Sequence, residues 1–217
     1  MSRNNKGYET KHRIIVAAKE LFYEQGLENT KIKDICRLAD IRTGNFKYYF
    51  NQKYDIANEI FSELLMEAYV YTAQYTKDRS LNSLEANFRA TMVYYRVIFS
   101  DPKNILYYYE TINNESIYKY MNLSVRRIYQ QFIKEFSLDI SGEELVFIAR
   151  ADLGIRREFA IDYIDEKPDY DILYLVTKIL TLLCRLFKID AALADQYIEE
   201  SLAFVEEHDF SHLRLLK

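Results

Sequence analysis

At 217 residues and 49% apolar content the chain is long enough for one large domain, or for a small module joined to a larger one, and too apolar for disorder. With only 5 glycines and 2 prolines it is too poor in turn formers for a sandwich or barrel, so the expected fold class is all-α. The net charge of −4 hides a division: residues 1–55 carry 11 basic against 7 acidic side chains, and the rest carries 18 against 26.

A basic end on an acidic body points to a polyanion contact at that end; the alternative is a solvated charge distribution with no partner. The chain has no uncharged apolar run of about 18 residues, and MSRNNKGYET lacks the apolar stretch of a secretory signal, so a cytoplasmic protein is expected. Cys36 and Cys184 lie in apolar periodic segments outside any ligand cluster, which argues against a disulfide or a metal role.

In chain order, the first helix is expected from about Tyr8 to Gln25, with Ile14, Ile15, Ala18, Leu21 and Phe22 as its buried stripe and Gly26 ending it in the left-handed conformation. Thr30 is expected to cap a short second helix buried through Ile32, Ile35, Cys36 and Ala39. After Asp40 and Ile41 comes a third helix of roughly eight residues. Asn51 then caps a long fourth helix with Ile56, Ala57, Ile60, Phe61, Leu64, Leu65 and Ala68 at helical spacing. Further helices are expected near 81–100, 102–112, 115–137, 141–166, 169–188 and 190–207. Asp101-Pro102 and the capping box Ser141 to Glu144 mark two of their starts. The expected organisation is a module of residues 1–52 continued through the fourth helix into a body of residues 53–217.

The third helix carries the chemistry. Set at 100° per residue with Phe46 inward, it places Phe50, Tyr49, Arg42 and Thr43 toward the buried side and turns Gly44, Asn45, Lys47 and Tyr48 outward. A glycine at the centre of an exposed face costs a helix roughly 1 kcal/mol relative to alanine, yet it permits close backbone approach to a partner. Lys47 and Tyr48 suit phosphate oxygens, while Asn45 and Thr43 can hydrogen-bond base edges, with Arg42 at the start of the same helix. Short helix, tight turn and short helix form a helix-turn-helix, whose second helix enters the major groove. Thr30 and Lys53, each at a helix start, are further candidate phosphate contacts.

The stretch IIVAAKELFYEQGLENTKIKDICRLADIRTGNFKYYFNQKYDI resembles the DNA-binding domain of the TetR family of bacterial transcriptional repressors. Ala18, Leu21, Phe22, Gly26, Thr30, Ile35, Ala39, Gly44, Phe50 and Lys53 stand where the family pattern expects them. Asp40 replaces a usual glycine, Arg42 an often-found capping serine, and Lys47 a usual tyrosine. The resemblance implies a homodimer that binds a palindromic double-stranded DNA operator and is released by a small-molecule effector held in the body.

Separately, 14 of the 20 residues from 170 to 189 are apolar, so that helix needs burial on two sides. A partner subunit is the expected second side, through Leu175, Ile179, Leu182, Leu183 and Leu186, with Gly154 allowing close packing of the preceding helix. The alternative is the central helix of a monomeric core. The 20 tyrosines suit either ordinary packing or a pocket for an aromatic or amphiphilic ligand. Tyr107, Tyr108, Glu110, Tyr118 and Arg150 are the candidate lining residues, and tyrosine rings with a glutamate would favour a cation. They are chosen because they lie on the helices that usually surround the family's cavity.

His208 and His212 share helical spacing but have no third ligand, and a surface terminus is the plainer reading. No nucleophile motif, glycine-rich phosphate loop or cofactor motif is evident, so neither an enzyme nor a cofactor is expected. A helical protein-interaction module without DNA binding is the remaining alternative.

Overall fold

Apolar residues at helical spacing, punctuated by side-chain caps, divide the chain into helices joined by short turns. The computed structural model describes residues 3–75 and 80–217, and their side chains except those of residues 3–5 and 115–124. Among the described residues the architecture is all-α. The first helix, α1 (Arg3–Gln25), stops where Gly26 takes a φ of +85°. Next come α2 (Ile32–Leu38), a single 3₁₀ helix (Thr43–Tyr48) and the long α3 (Lys53–Gln74).

Two expected caps move by one residue. Lys31, not Thr30, stands at the N-cap of α2, because the Thr30 hydroxyl instead donates to the Gly26 carbonyl at 2.6 Å. Gln52, not Asn51, stands at the N-cap of α3, where the Asp55 carboxylate accepts from the amides of Asn51 at 2.8 Å and Gln52 at 3.3 Å. A carboxylate in the first turn also meets the positive end of the helix dipole. Between α2 and the 3₁₀ helix, Asp40 adopts a φ of +52°, which lets the Ile41 amide reach back to the Cys36 carbonyl at 2.9 Å. An L-residue in this region is strained, and aspartate tolerates it better than most.

The body comprises α4 (Ser83–Phe99), α5 (Pro102–Ile112), α6 (Glu115–Glu135), α7 (Gly142–Glu166), α8 (Ile172–Leu186) and α9 (Ala191–Glu207). The expected starts at Asp101 and Ser141 hold: Asp101 Oδ1 accepts from the Lys103 amide at 2.7 Å, and Ser141 Oγ from the Glu144 amide at 3.0 Å. Twelve residues of α4 are buried, making it the centre around which α3, α8 and α9 pack.

Helix α8 owes its apolar girth to its own chain. It lies among α4, α7 and α9, which bury Leu175, Ile179 and Leu183. Those three side chains face inward and are not a dimer surface, whereas Leu182 and Leu186 are partly exposed. The error has a physical source: helical periodicity measures how much of a helix is dry and says nothing of which chain keeps it dry.

The amino-terminal helices are tied to the body by rings and by charge. Tyr107 of α5 is stacked between Phe22 of α1, with centroids 5.4 Å apart, and Phe61 of α3, at 5.2 Å. Rings of this kind each contribute roughly 1.5–3 kcal/mol when buried. Tyr23 donates to Asp101 at 3.0 Å, and the carboxy-terminal Lys217 reaches Glu24 at 2.5 Å. Leu215 and Leu216 beside it are buried, so the last residues strap the body to α1.

Candidate nucleic-acid interface and body cavity

The 3₁₀ helix anchors itself through Phe46, which is buried and tilted against Phe50 at 6.1 Å. Everything polar around that anchor points out: Arg42, Thr43, Gly44, Asn45, Lys47 and Tyr48 are all exposed. A Cβ on Gly44 would meet nothing within 4 Å, so the glycine faces open space and not a neighbouring helix. Arg42 and Thr43, expected toward the buried side, are both exposed; with three residues to a turn, Arg42 stands about 120° away from Phe46, while Thr43 shares its side of the 3₁₀ helix at the exposed end. Tyr48 is 83% exposed, with its ring edge-on to Tyr49 at 5.0 Å. The result is a flat, donor-rich surface that carries two cations, Arg42 and Lys47.

Thr30 and Lys53 stand apart from this surface. Thr30 is 1% exposed, and its hydroxyl also accepts from Gln25 Nε2 at 3.2 Å. Lys53 directs its ammonium into the end of the α1–α2 turn, where Nζ donates to the carbonyls of Leu27 at 2.7 Å, Glu28 at 2.9 Å and Thr30 at 3.3 Å. An ammonium has three protons. All three are spent on this internal staple, so neither residue presents a group to phosphate.

Residues 14–60 match the family model described as bacterial regulatory proteins, tetR family. This segment is similar to that family's. It runs from the second half of α1 through α2 and the 3₁₀ helix into the first turns of α3, including the exposed surface around Gly44. Solved structures share the fold across most of the chain. TylP, a TetR regulator from Streptomyces fradiae, superposes with a TM-score of 0.57 at 16% identity, covering 93% of this chain and 94% of its own. Ligand-free RolR gives 0.56 at 16% identity, covering 87% and 96%, and RolR complexed with resorcinol gives 0.51 at 17%, covering 90% and 96%. No curated protein matches the chain.

Within the body a cavity of about 90 Å³ lies where α3 to α7 converge. Its wall is largely aromatic, from Tyr94, Tyr95, Tyr108 and Tyr129, closed by aliphatic side chains such as Leu65, Ile112 and Ile128. The Tyr95 and Tyr108 hydroxyls share a contact of 3.3 Å, and burial pushes the Tyr108 phenol well above its ordinary range, so it stays protonated. Burial does the same to Tyr129, helped by the charge of Asp152, to which its hydroxyl donates at 2.6 Å. Asp152 in turn accepts from Arg156 Nε at 2.7 Å. Arg157, also in the wall, donates through Nε to the Ile112 carbonyl at 3.0 Å and through Nη2 to Asn113 Oδ1 at 3.1 Å, which holds the end of α5 against α7.

Of the lining residues expected from sequence, only Tyr108 is among those placed at this cavity. Tyr107 is wedged between Phe22 and Phe61, Arg150 is exposed on α7, and Tyr118 lies outside the described side chains. Glu110 faces away from the cavity, its carboxylate accepting from the Leu27 amide at 2.6 Å. Tyr107 projects about 100° around α5 from Tyr108, which carries its ring to Phe22 and Phe61 and not to the cavity. Sequence reasoning missed Asn87, Asp152 and Arg156, although charged residues inside apolar helices were the available signal.

The outer face of α7 and α8 is the other unfilled surface. Phe147 of α7 is 72% exposed and Tyr174 of α8 52%, and Phe159 of α7 and Tyr170 in the turn between the two helices are exposed as well. Gly154 lies partly exposed on α7, one helical face along from Phe147 and Ala151. The two histidines serve packing: His208 Nδ1 lies 2.9 Å from the Phe204 carbonyl, and the His212 ring rests on Tyr71.

Proposed function

We propose that this protein is a ligand-responsive DNA-binding transcriptional regulator of the tetR family, a cytoplasmic repressor that binds a palindromic operator as a homodimer and leaves it when a small molecule enters the body. The observation that carries the reading is the exposed surface around Gly44, where an open glycine is flanked by Arg42, Thr43, Asn45, Lys47 and Tyr48. Backbone approach at the glycine, base contacts from Asn45 and Thr43, and phosphate contacts from Lys47, Tyr48 and Arg42 together suit a major groove. Residues 1–52 form the DNA-reading module in this account, and residues 53–217 the ligand and dimer module.

Two features support the rest. Exposed aromatics on α7 and α8 suit isologous pairing, in which Phe147 and Tyr174 of each copy cover the other's face. Pairing would bring two reading helices to successive grooves about one duplex turn apart. The cavity supports a small effector, and RolR, of the same fold, has been captured with resorcinol. Helix α5 touches both places, with Tyr108 at the cavity and Glu110 on the Leu27 amide. A ligand that displaces α5 would change the seating of α2 and the 3₁₀ helix, and operator affinity would fall by linkage.

Titration of a random-sequence duplex at low and then rising salt tests the reading. Weak binding that declines steeply with salt is expected, followed by footprinting upstream of the protein's own gene. If no duplex binds at low salt, the regulator reading is lost and a helical protein-interaction module takes its place.

A further inference from the structure

The cavity is polar in one direction only. Among the described residues its charged wall members are Arg156 and Arg157, with no carboxylate beside them. Asp152 sits behind the wall, 1% exposed, taking one of the five donors that an arginine offers. The terminal amino groups of Arg156 meet no second carboxylate among the described residues. Asn87 of α4, also in the wall, is 5% exposed; Tyr69 donates to its Oδ1 at 2.8 Å, while its Nδ2 is buried with no hydrogen-bond partner among the described residues. A buried donor left unpaired is destabilising, and an oxygen placed in the cavity would satisfy it. Asn87, Thr91 and Tyr94 follow one another at helical spacing and line the same space.

We propose that this cavity binds a small aromatic carboxylate, with its oxygens on Asn87 Nδ2 and the Arg156 guanidinium and its ring among Tyr94, Tyr95, Tyr108 and Tyr129. The assignment deepens the regulator reading and rests on it only for calling the ligand an effector. An anion is selected because the wall offers two cations and an idle amide donor, and a planar carboxylate matches the fork of an arginine. A cation would face two guanidiniums, whose paired carboxylates, Asp152 and Glu158, stand outside the described wall. Four tyrosine rings favour an aromatic body over a flexible chain. The volume of about 90 Å³ is several times the roughly 10–15 Å³ that one water needs, a scale suited to a single ring.

Calorimetry on the full chain with three probes of similar shape, sodium benzoate, phenol and benzylamine, tests this. Benzoate is expected to bind about tenfold or more tighter than phenol, from its charge-assisted hydrogen bonds, and benzylamine not at all. Asn87→Asp, which adds a carboxylate to the wall, is expected to abolish benzoate binding and admit benzylamine; Asn87→Leu is expected to level benzoate and phenol. Unliganded melting curves report whether each variant folds, and the wild-type ranking of the three probes decides the matter even if none does. Equal binding of benzoate and phenol, or preference for benzylamine, overturns the assignment. Random-duplex binding by the same preparation keeps the two readings apart. DNA binding without benzoate selectivity sinks only the ligand assignment, and the reverse sinks only the regulator.

Discussion

The Glu110 carboxylate accepts the Leu27 amide proton at 2.6 Å and faces the Glu28 amide at 3.4 Å, joining α5 to the turn that seats α2. Gly26 closes the same contact from the other side, since a Cβ there would lie 3.1 Å from Glu110 Oε1. Glu110→Ala removes a charged acceptor from a partly buried amide and is expected to cost about 1–3 kcal/mol in urea unfolding. Gly26→Ala is expected to cost at least 1 kcal/mol or so from its left-handed backbone alone, plus the crowding. In the double variant the crowding disappears, so the two losses should sum to more than the loss measured together. Strict additivity would show that the carboxylate does not press on the turn.

Lys47 and Lys53 have opposite roles despite similar position and chemistry. Lys47 is exposed on the donor-rich surface, whereas Lys53 has all three protons on backbone carbonyls. Lys47→Ala is therefore expected to weaken binding to every duplex and to flatten the salt dependence by about one unit of slope. Lys53→Ala should lower the melting temperature and leave that slope unchanged. Finding the slope altered by Lys53→Ala and not by Lys47→Ala would reverse the assignment.

Tyr107 is fully buried between Phe22 and Phe61, yet its hydroxyl has no hydrogen-bond partner. The stack needs only the ring. Tyr107→Phe removes an unpaired polar atom and keeps the stacking, so stability is expected to stay level or rise by about 1 kcal/mol. Tyr107→Ala, which opens a cavity between α1, α3 and α5, is expected to cost about 3–5 kcal/mol by the same urea measurement.

Phe147 and Tyr174 are the exposed aromatics through which the proposed dimer forms. Phe147→Asp would place a charge at the centre of that apolar face and is expected to shift the protein to monomer in sedimentation velocity runs. Leu183→Ala, by contrast, alters a side chain that is 1% exposed within the protomer and should destabilise folding by about 2–5 kcal/mol. A dimer that survives Phe147→Asp would relocate the interface.

Burial raises the Cys184 thiol from an ordinary 9.0 to about 12. Its folded-state value is the higher one, so its contribution to stability is intact below pH 9 and is lost progressively as pH rises from 9 toward 12, where the unfolded thiolate is favoured. Cys184→Ala is expected to flatten the fall in stability over that alkaline range, read from urea midpoints at successive pH values. In the native protein at pH 8, a thiol reagent should leave Cys184 unmodified because the reactive thiolate is suppressed.

Local chemistry was legible in the residues themselves. Gly26 as a left-handed stop, Asp101 and Ser141 as caps, Asp40 at a positive φ, and Phe46 as the anchor of a short exposed helix all follow from what each side chain can do within four residues of its own backbone. Polar-apolar spacing fixed the all-α class for the same reason, since helical periodicity is a property of neighbours in sequence. Partners across the fold are not encoded at that range. Lys53 meets carbonyls 23 to 26 residues away and Glu110 an amide 83 away, whereas the first was expected at a phosphate and the second in the ligand pocket, because an isolated charge suggests a ligand. The inner wall around Asn87 and Arg156, and the chain that keeps α8 dry, were likewise decided only when distant helices closed on one another. A helix records which of its faces must leave water, and only the assembled body determines what covers it.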